Sequence, residues 1–599
     1  MPAIVTRHFR IHNAIQFFES FTEDPPTRYY FFIGKSYAYA NTIPLTGTVK
    51  TTAGSNTVIG AGTLFTTELA VGDRIAVTGQ SNVHVIHSIP TAQTFITTSS
   101  NYNTITAGAN VYLRKLFNEF NPPTPTDSYQ DTYYDIWRNM MSLKRVQVSD
   151  RTHVITNNTW ANNTFYYQYD DQDASLETKA FYVYTSDRNV YKCIDNNNGA
   201  NSTHMPTTTT TTIEETADGY RWKYMYTVSS GEALKFVTAD FIPVKTLTAN
   251  DGSAQWTVQQ NAANGAINHI KVIANGSNYL YTTNTFVSIS NSTLLTIGDN
   301  ASGDDGVYVG SCIYISSGLG SGQLRKIVKY FGANNTLIVN TAFSTSPNTS
   351  STYYISPTVT IYGDSGLTTT SRATAYVSNA YAGQVRSIAV INQGRSYSTA
   401  NVVISANSLY GRGATARPII SPQNGHGSDP VDELYGTSVM MNIKTINSES
   451  NTFVTNNDFR IIGIVRDPKL ANGSYANTSV IDQTHRITIS GAIGDFFADE
   501  LIIGQTSKAK GRLVYFANTN AARTAGVLKL IRVTTNGVGQ GFAAGETVVG
   551  GTSNVTATVV TNTPPALKPF SGIVIYNENR EPISRSPLQT EDFKITVRY

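Results

Sequence analysis

The sequence predicts a mainly-β protein of many short antiparallel strands, with two short helical segments and inserted small β-domains. Three observations carry this reading. Tyr (35) and Gly (45) are abundant beside many Thr, Ser and Asn. Tyr and Thr suit half-buried strands, while Gly and Asn supply the positive φ of tight turns. Apolar and polar residues alternate along most of the chain, the period of a strand with one buried face. The helical period appears in two places only.

The first of these is Ile11, Ala14, Ile15 and Phe18, which fall on one helix face and are followed by the stop Pro25-Pro26. The second is Tyr133, Ile136, Trp137, Met140 and Met141, with Asp127 and Gln130 spaced as a capping box. Strands are expected at 28–33, 179–184, 189–194 and 222–228. Residues 47–114 read as a small β-barrel-like insertion, with strands at 73–77, 84–89 and 94–98 between Gly, Asn and Pro turns. A similar strand-turn-strand order recurs near 322–341. A firmer repeat has the form I-x-V-I-x-x-G-x-x-Y: Ile270 to Tyr279 and Ile388 to Tyr397, each with an alternating strand after it. Two copies indicate a duplicated β-unit and fall short of a solenoid. Thr207 to Thr212, after Pro206, reads as a loop or edge connector.

Bulk properties bound the function. The chain has 599 residues, 40% hydrophobic and 14% charged, with net charge +3. Apolar material is ample for packed cores, and the charge balance gives no general case for nucleic acid or an anionic membrane. Cys193 and Cys312 are too few for a disulfide framework or a four-cysteine zinc site, and read as reduced thiols. The N-terminal stretch has no apolar leader, and no apolar run is long enough for a membrane span. A soluble chain made in a cytoplasm is the expectation.

No motif reads as a catalytic or metal site. Gly411-Arg-Gly413-Ala-Thr-Ala416 fits the dinucleotide fingerprint, but Pro418 and Pro422 follow where a helix must begin, so it reads as a turn. Gly318-Leu-Gly320-Ser-Gly322 lacks the phosphate-loop spacing. His84 and His87 would point to opposite faces of a strand and cannot chelate together. His426 has Ser428 and Asp429 close by but no nucleophile elbow, and reads as a turn histidine bonded to backbone. Asp170, Asp171, Asp173 and Glu177 form the densest acidic cluster. Leu176 stands where a calcium loop wants Gly, so the cluster reads as a solvated loop.

Several stretches resemble one family, the gene 8 baseplate wedge proteins of T4-like contractile-tailed phages. Tyr30-Phe31-Phe32-Ile33-Gly34-Lys35 is similar to the family's first strand, and Trp137-Arg138-Asn139-Met140-Met141 to its helix. The strongest runs are Phe181 to Asp187, Asn189 to Ile194 (with Lys192), Asn196 to Gly199, and Glu215-Thr216-Ala217-Asp218-Gly219-Tyr220-Arg221-Trp222-Lys223. Gly425-His426-Gly427, Glu433-Leu434, Phe459 to Pro468 (with Asp467) and Asn577 to Ile583 (with Arg580) followed by Gln589 to Asp592 resemble its second half. Residues 47–114 and much of 246–420 depart from the family pattern as insertions.

The resemblance implies a wedge core that is a layered antiparallel β-sandwich, built from 1–46 with 115–245 and from 425–599 and interrupted by the insertions 47–114 and 246–424. It implies a homodimer packed against other wedge proteins in the virion tail baseplate, assembled in the host cytoplasm, with no catalysis, cofactor, metal, nucleic acid or membrane. The motif residues would then be structural: Trp137 and Trp222 as core anchors, Asp187 and Gly199 in turns, Arg580 and Asp592 paired near the C-terminus, and Arg138, Lys192, Asp218, Lys223, His426 and Asp467 in supporting roles. The competing expectations are a carbohydrate-binding or carbohydrate-cleaving tail protein, and a tail-tube or neck component that would assemble as a ring.

Overall fold

The computed structural model describes residues 6–35, 41–80, 83–100, 102–115, 128–364, 368, 371–407, 409–446, 449, 452–454, 457–534, 541–585 and 589–599. The chain is dominated by antiparallel sheets. It divides into two compact units: residues 1–15, 152–440 and 596–599 form one, and 16–151 with 441–595 the other. These boundaries fall inside the stretches 1–46, 115–245 and 425–599.

The second unit contains a five-stranded sheet ordered Val480–Asp482, Met140–Arg145, Tyr29–Gly34, Asn457–Arg466, Ile573–Arg585. Its central strand reads YYFFIG and is buried throughout, because sheet neighbours flank both edges and side chains cover both faces. Full burial of an aromatic such as Phe31 is worth ~1.5–3 kcal/mol. Residues 41–115 form an eight-stranded sheet around Val58, Phe65, Ile75 and Phe95. Residues 485–563 form a closed six-stranded barrel around Ile487, Ile502, Leu528 and Val548.

The first unit holds a four-stranded sheet ordered Tyr182–Tyr184, Asn189–Asp195, Arg221–Thr227, Glu214–Glu215. It also holds a seven-stranded sheet within 282–356 and a six-stranded sheet ordered Ala400–Ser405, Thr358–Gly363, Thr374–Tyr381, Gln384–Asn392, Ile267–Ser277, Arg412–Ile420. The duplicated motif lies in the six-stranded sheet, its two copies antiparallel, with Ile270 opposite its own equivalent Ile388. The Tyr279 hydroxyl accepts from Ala414 N (3.2 Å) and the Tyr397 hydroxyl from Ala373 N (2.8 Å). Tyr279 N donates to Gly383 O, which precedes the other copy; Tyr397 N donates likewise to Gly265 O. The two copies are thus related by a local two-fold axis. Gly276 (φ +61) and Gly394 (φ +62) close the turns, where a Cβ would meet Ala414 N at 2.4 Å or Ala373 N at 2.6 Å. Only glycine fits both the conformation and the space.

The helical expectation is corrected in two ways. The described residues hold six α-helices, not two; four of them, Phe65–Glu68, Ser230–Phe236, Ala254–Gln260 and Pro430–Glu433, are too short to show a period. The second expected helix runs Tyr129–Asn139 and is capped by Ser128, which accepts from Asp131 N; Asp127 lies outside the described residues. Met140 and Met141, expected on the helix, instead open the strand that pairs with Tyr29–Gly34. Sheet pairing overrides their helical spacing. The stretch 485–563, expected as part of the core, is its own barrel. The similar order noted at 82–97 and 323–339 corresponds, over the described residues from Val83 on, to two hairpins, in which Ile86, Phe95 and Thr97 are buried as Ile327, Leu337 and Val339 are. Gly411 to Ala416 enters an extended edge strand, so no helix N-terminus faces a phosphate there.

Candidate functional site

Three of the motif residues, Lys192, Lys223 and His426, converge on one carboxylate. Lys192 and Lys223 sit opposite each other on the paired strands Asn189–Asp195 and Arg221–Thr227. His426 comes from the loop that leads into the short helix Pro430–Glu433, and Glu433 ends that helix. Lys192 Nζ lies 2.9 Å from Glu433 Oε2, with side-chain exposures of 0% and 1%. The other oxygen, Oε1, accepts from Gly427 N (2.7 Å) and Asp429 N (3.2 Å). Lys192 Nζ stands 4.0 Å from the centre of the Tyr169 ring, a cation–π contact. The His426 ring meets the Tyr169 ring edge-on at 5.0 Å. Gly427 (φ +89) lets the loop pass here, since a Cβ would meet Val258 Cγ1 at 2.6 Å.

The electrostatics follow from burial. Burial lowers the Lys192 ammonium, with Glu433 opposing. It also lowers Lys223, to about 8, again with Glu433 opposing, and Lys223 Nζ donates to Thr211 O. Burial raises Glu433, while Lys192 and the two backbone N–H groups work against the rise. His426 is pushed well down, by burial and by the two ammonium groups, and stays neutral. Its Nδ1 lies 3.9 Å from Glu433 Oε2, too far for a hydrogen bond, and has no hydrogen-bond partner. His426 thus lies in a turn, as expected, but its buried ring packs on Tyr169 and its Nδ1 makes no backbone bond.

A lysine with a lowered pKa is the type used in Schiff-base chemistry. At 0% exposure, however, Lys192 offers a substrate no approach. The cluster instead ties together elements far apart in sequence, and removing one member of such a pair leaves an uncompensated buried charge.

Asp218 organises a second node. Burial alone would raise its pKa, but the Thr216 hydroxyl and the N–H groups of His204, Thr203 and Tyr220 outweigh that and bring it to about 2. Beside it, Asn197 donates to Asp218 O, and Gly199 (φ +86) ends the 3-10 turn Asn197–Gly199. Trp222 is fully buried, stacked on Tyr220 at 5.4 Å and edge-on to Tyr166. Asp187 is exposed in the turn between Tyr182–Tyr184 and Asn189–Asp195, where Arg188 N donates to Thr185 O.

In the second unit Trp137 is buried with Tyr30, Met140 and Leu143. Arg138 is half exposed, 3.8 Å from Asp135. Asp467 accepts from Arg28 N and donates its own N–H to Arg28 O. The expected pairing of Arg580 with Asp592 is absent. Arg580 Nε lies 3.1 Å from Glu578, and Asp592 accepts from Asn442 Nδ2. The two residues stand on strands of different sheets, Ile573–Arg585 and Glu591–Arg598, so nearness in sequence does not bring them together.

The acidic cluster lies in a partly exposed loop, as expected, but its carboxylates are ion-paired. Asp170 and Asp171 both bind Arg417, Asp173 binds Lys179, and Glu177 binds Arg10. Among the described residues no group of three or more His, Cys, Asp or Glu could hold a metal ion. His84 is buried and stacked on Tyr102 at 3.8 Å, while His87 is exposed. Cys193 and Cys312 are free and buried. No helix among the described residues is long and apolar enough to cross a membrane.

Sequence reasoning matched Glu433 only as part of the family resemblance and gave it no role, and it missed Tyr169, for which no local pattern exists. It also missed a repeat in the barrel. Phe496, Glu500, Gly504, Thr506 and Ser507 match Phe542, Glu546, Gly550, Thr552 and Ser553 at a constant offset. Glu500 accepts from Thr552 N, Ser553 N, Ser553 Oγ and Phe497 N. Glu546 accepts in the same way from Thr506 N, Ser507 N, Ser507 Oγ and Ala543 N. Ile503 faces its equivalent Val549 across the strand pair, a second local two-fold axis. The constant offset was the signal that could have found it. No protein-family model matches the chain, and no curated protein matches it significantly.

Proposed function

We propose that this chain is a structural subunit of the baseplate wedge of a contractile phage tail, contributing to baseplate assembly and to the rearrangement that accompanies tail contraction. It works there as a homodimer against other wedge proteins and carries no catalysis. Its core is a layered β-sandwich. In support of the layering, Phe31 and Phe459 of the five-stranded sheet pack on Phe593 of a strand in another sheet, at 4.6 and 6.0 Å.

The observation that carries the reading is the use made of the motif residues. Lys192, Lys223 and His426 meet in a cluster sealed around Glu433, and Asp218 and Trp222 serve turns and cores. Residues spent on holding strands together suit a permanent assembly part, whose interfaces are large and relatively apolar. The family resemblance of the sequence supplies the identity of the assembly.

Gold-labelled antibody to the chain, applied to phage particles that carry it, should mark the base of the tail. Label on the capsid, neck or fibres rejects the reading. Light scattering on the purified chain should give a dimer; a ring favours a tube or neck component. The exposed Tyr362 and Tyr381 (57% and 72%) favour a second reading, carbohydrate binding by the inserted sheet, which a glycan array tests.

A further inference from the structure

The second unit contains a cavity of about 300 Å3 beside the helix Tyr129–Asn139. Trp137, Met140, Leu530 and Phe570 give it apolar walls, and Arg138 and Arg532 bring guanidinium groups to it. Two of these residues hold backbone conformations that bulky side chains rarely adopt: Arg532 at φ 53 and Phe570 at φ 62. Arg532 occupies an irregularity in the pairing of Lys510–Asn518 with Gly526–Thr534, where Arg512 faces Ile531 and Lys510 faces Thr534. Such bulges re-aim a side chain. Here Arg532 reaches Asp135 (3.3 Å) and Asn139 (3.2 Å) on the helix. Phe570 is held by Tyr134, whose ring centre is 4.4 Å away, and its carbonyl accepts from the Tyr133 hydroxyl. Strain of this kind persists only where the surroundings enforce it, and it collects at binding sites.

We propose that this cavity docks an acidic-aromatic peptide segment of a partner polypeptide, its ring between Trp137 and Phe570 and its side-chain carboxylate on Arg138 and Arg532. The volume suits one aromatic side chain; Arg138 and Arg532 share the single Asp135 carboxylate (3.8 and 3.3 Å), and the positive charge left over favours a carboxylate over a neutral amide. Arg532 is the inner group, with 16% of its side chain exposed, while Arg138 at 52% stands on the helix surface. The carboxylate is therefore met at the mouth, and the bound chain can continue past it in both directions. The cavity chemistry does not depend on the baseplate reading; only the partner's identity does.

Calorimetric titration of the full chain tests this with three probes: acetyl-Asp-Phe-amide, acetyl-Asn-Phe-amide and N-acetyl-phenylalanine. The Asp peptide should bind at least ~10-fold tighter than the Asn peptide, the size of one charge-assisted hydrogen bond. Arg138→Gln, on an exposed helix face, should erase most of that preference without changing the melting temperature. Phe570→Ala should weaken both peptides alike. No saturable binding, or equal binding of the Asp and Asn peptides, overturns the proposal. Binding of N-acetyl-phenylalanine alone overturns it in favour of a chain terminus as the occupant.

Discussion

The six-stranded sheet of the first unit and the closed barrel of the second solve one problem in two ways. Each is a duplicated β-unit whose copies lie antiparallel, with equivalent residues face to face: Ile270 on Ile388 in the sheet, Ile503 on Val549 in the barrel. In both, each copy latches a turn belonging to the other. The sheet uses a neutral latch: each Tyr N–H donates to the glycine carbonyl of the turn before the other copy, Tyr279 to Gly383 and Tyr397 to Gly265, while its hydroxyl accepts one N–H from a segment beside its own copy, next to a glycine turn that admits no Cβ. The barrel uses a charged latch, a buried Glu that accepts two N–H groups and a Ser hydroxyl from the opposite turn and a further N–H from its own copy. A carboxylate in such a cradle gains more from each bond than a hydroxyl does, and it becomes sensitive to acid. Glu433 carries the design furthest, with two N–H groups on one oxygen and a fully buried ammonium on the other.

The largest effect should come from Lys192→Ala. It strands the Glu433 charge in the core, at a cost of ~3–5 kcal/mol. Hydrogen exchange over Asn189–Asp195 reads this locally, as a chain with several cores requires. Unchanged exchange there would mean that the Glu433 cluster does not hold these strands. Gly394→Ala should cost about 2–3 kcal/mol, because the left-handed turn and the approach to Ala373 N both resist a Cβ. Exchange of the strand Thr374–Tyr381 reports it, and a neutral result would remove the glycine from the latch.

Glu500→Ala should cost ~1–3 kcal/mol by leaving buried donors unpaired. Glu546→Ala should match it if the barrel's two-fold relation is energetic as well as geometric. Tyr397→Phe should cost least, ~0.5–1.5 kcal/mol, for the loss of one hydrogen bond. A larger loss than for Glu500→Ala would invert the ranking of the two latches.

Acid separates the latches further. Burial alone would raise the Glu546 carboxyl, but the donors from Ser507, Ala543 and Thr506 outweigh it and hold it below its usual 4.5. A lowered carboxylate contributes stability that is full above 4.5 and lost as pH falls through the lowered value. Barrel amides should therefore lose protection below pH 4.5, ahead of those beside the tyrosine latch, which has no carboxyl. Simultaneous loss in both regions would remove the distinction.

The Tyr latch was legible in the sequence and the Glu latch was not, for a chemical reason. Gly and Tyr are restricted letters, and the first repeat keeps them inside a conserved I-x-V-I frame. In the barrel repeat Ile502 and Ile503 become Val548 and Val549, and Lys508 becomes Asn554. Only the cradle residues persist, and their purpose appears once two distant turns are set against two glutamates.

The sequence by itself determined the antiparallel β character, the two longer helices, the hairpins at 83–97 and 324–339 and the buried place of Trp137. These follow from local periodicity and turn chemistry, which act over a few residues. Tertiary structure alone decided that Met140 and Met141 join a strand, that residues 485–563 close into a barrel, and that Arg580 and Asp592 find other partners. It also decided that Lys192, Lys223 and His426 share Glu433. Each of these depends on segments tens to hundreds of positions apart, and burial and pairing energies that arise only in the folded chain select among them.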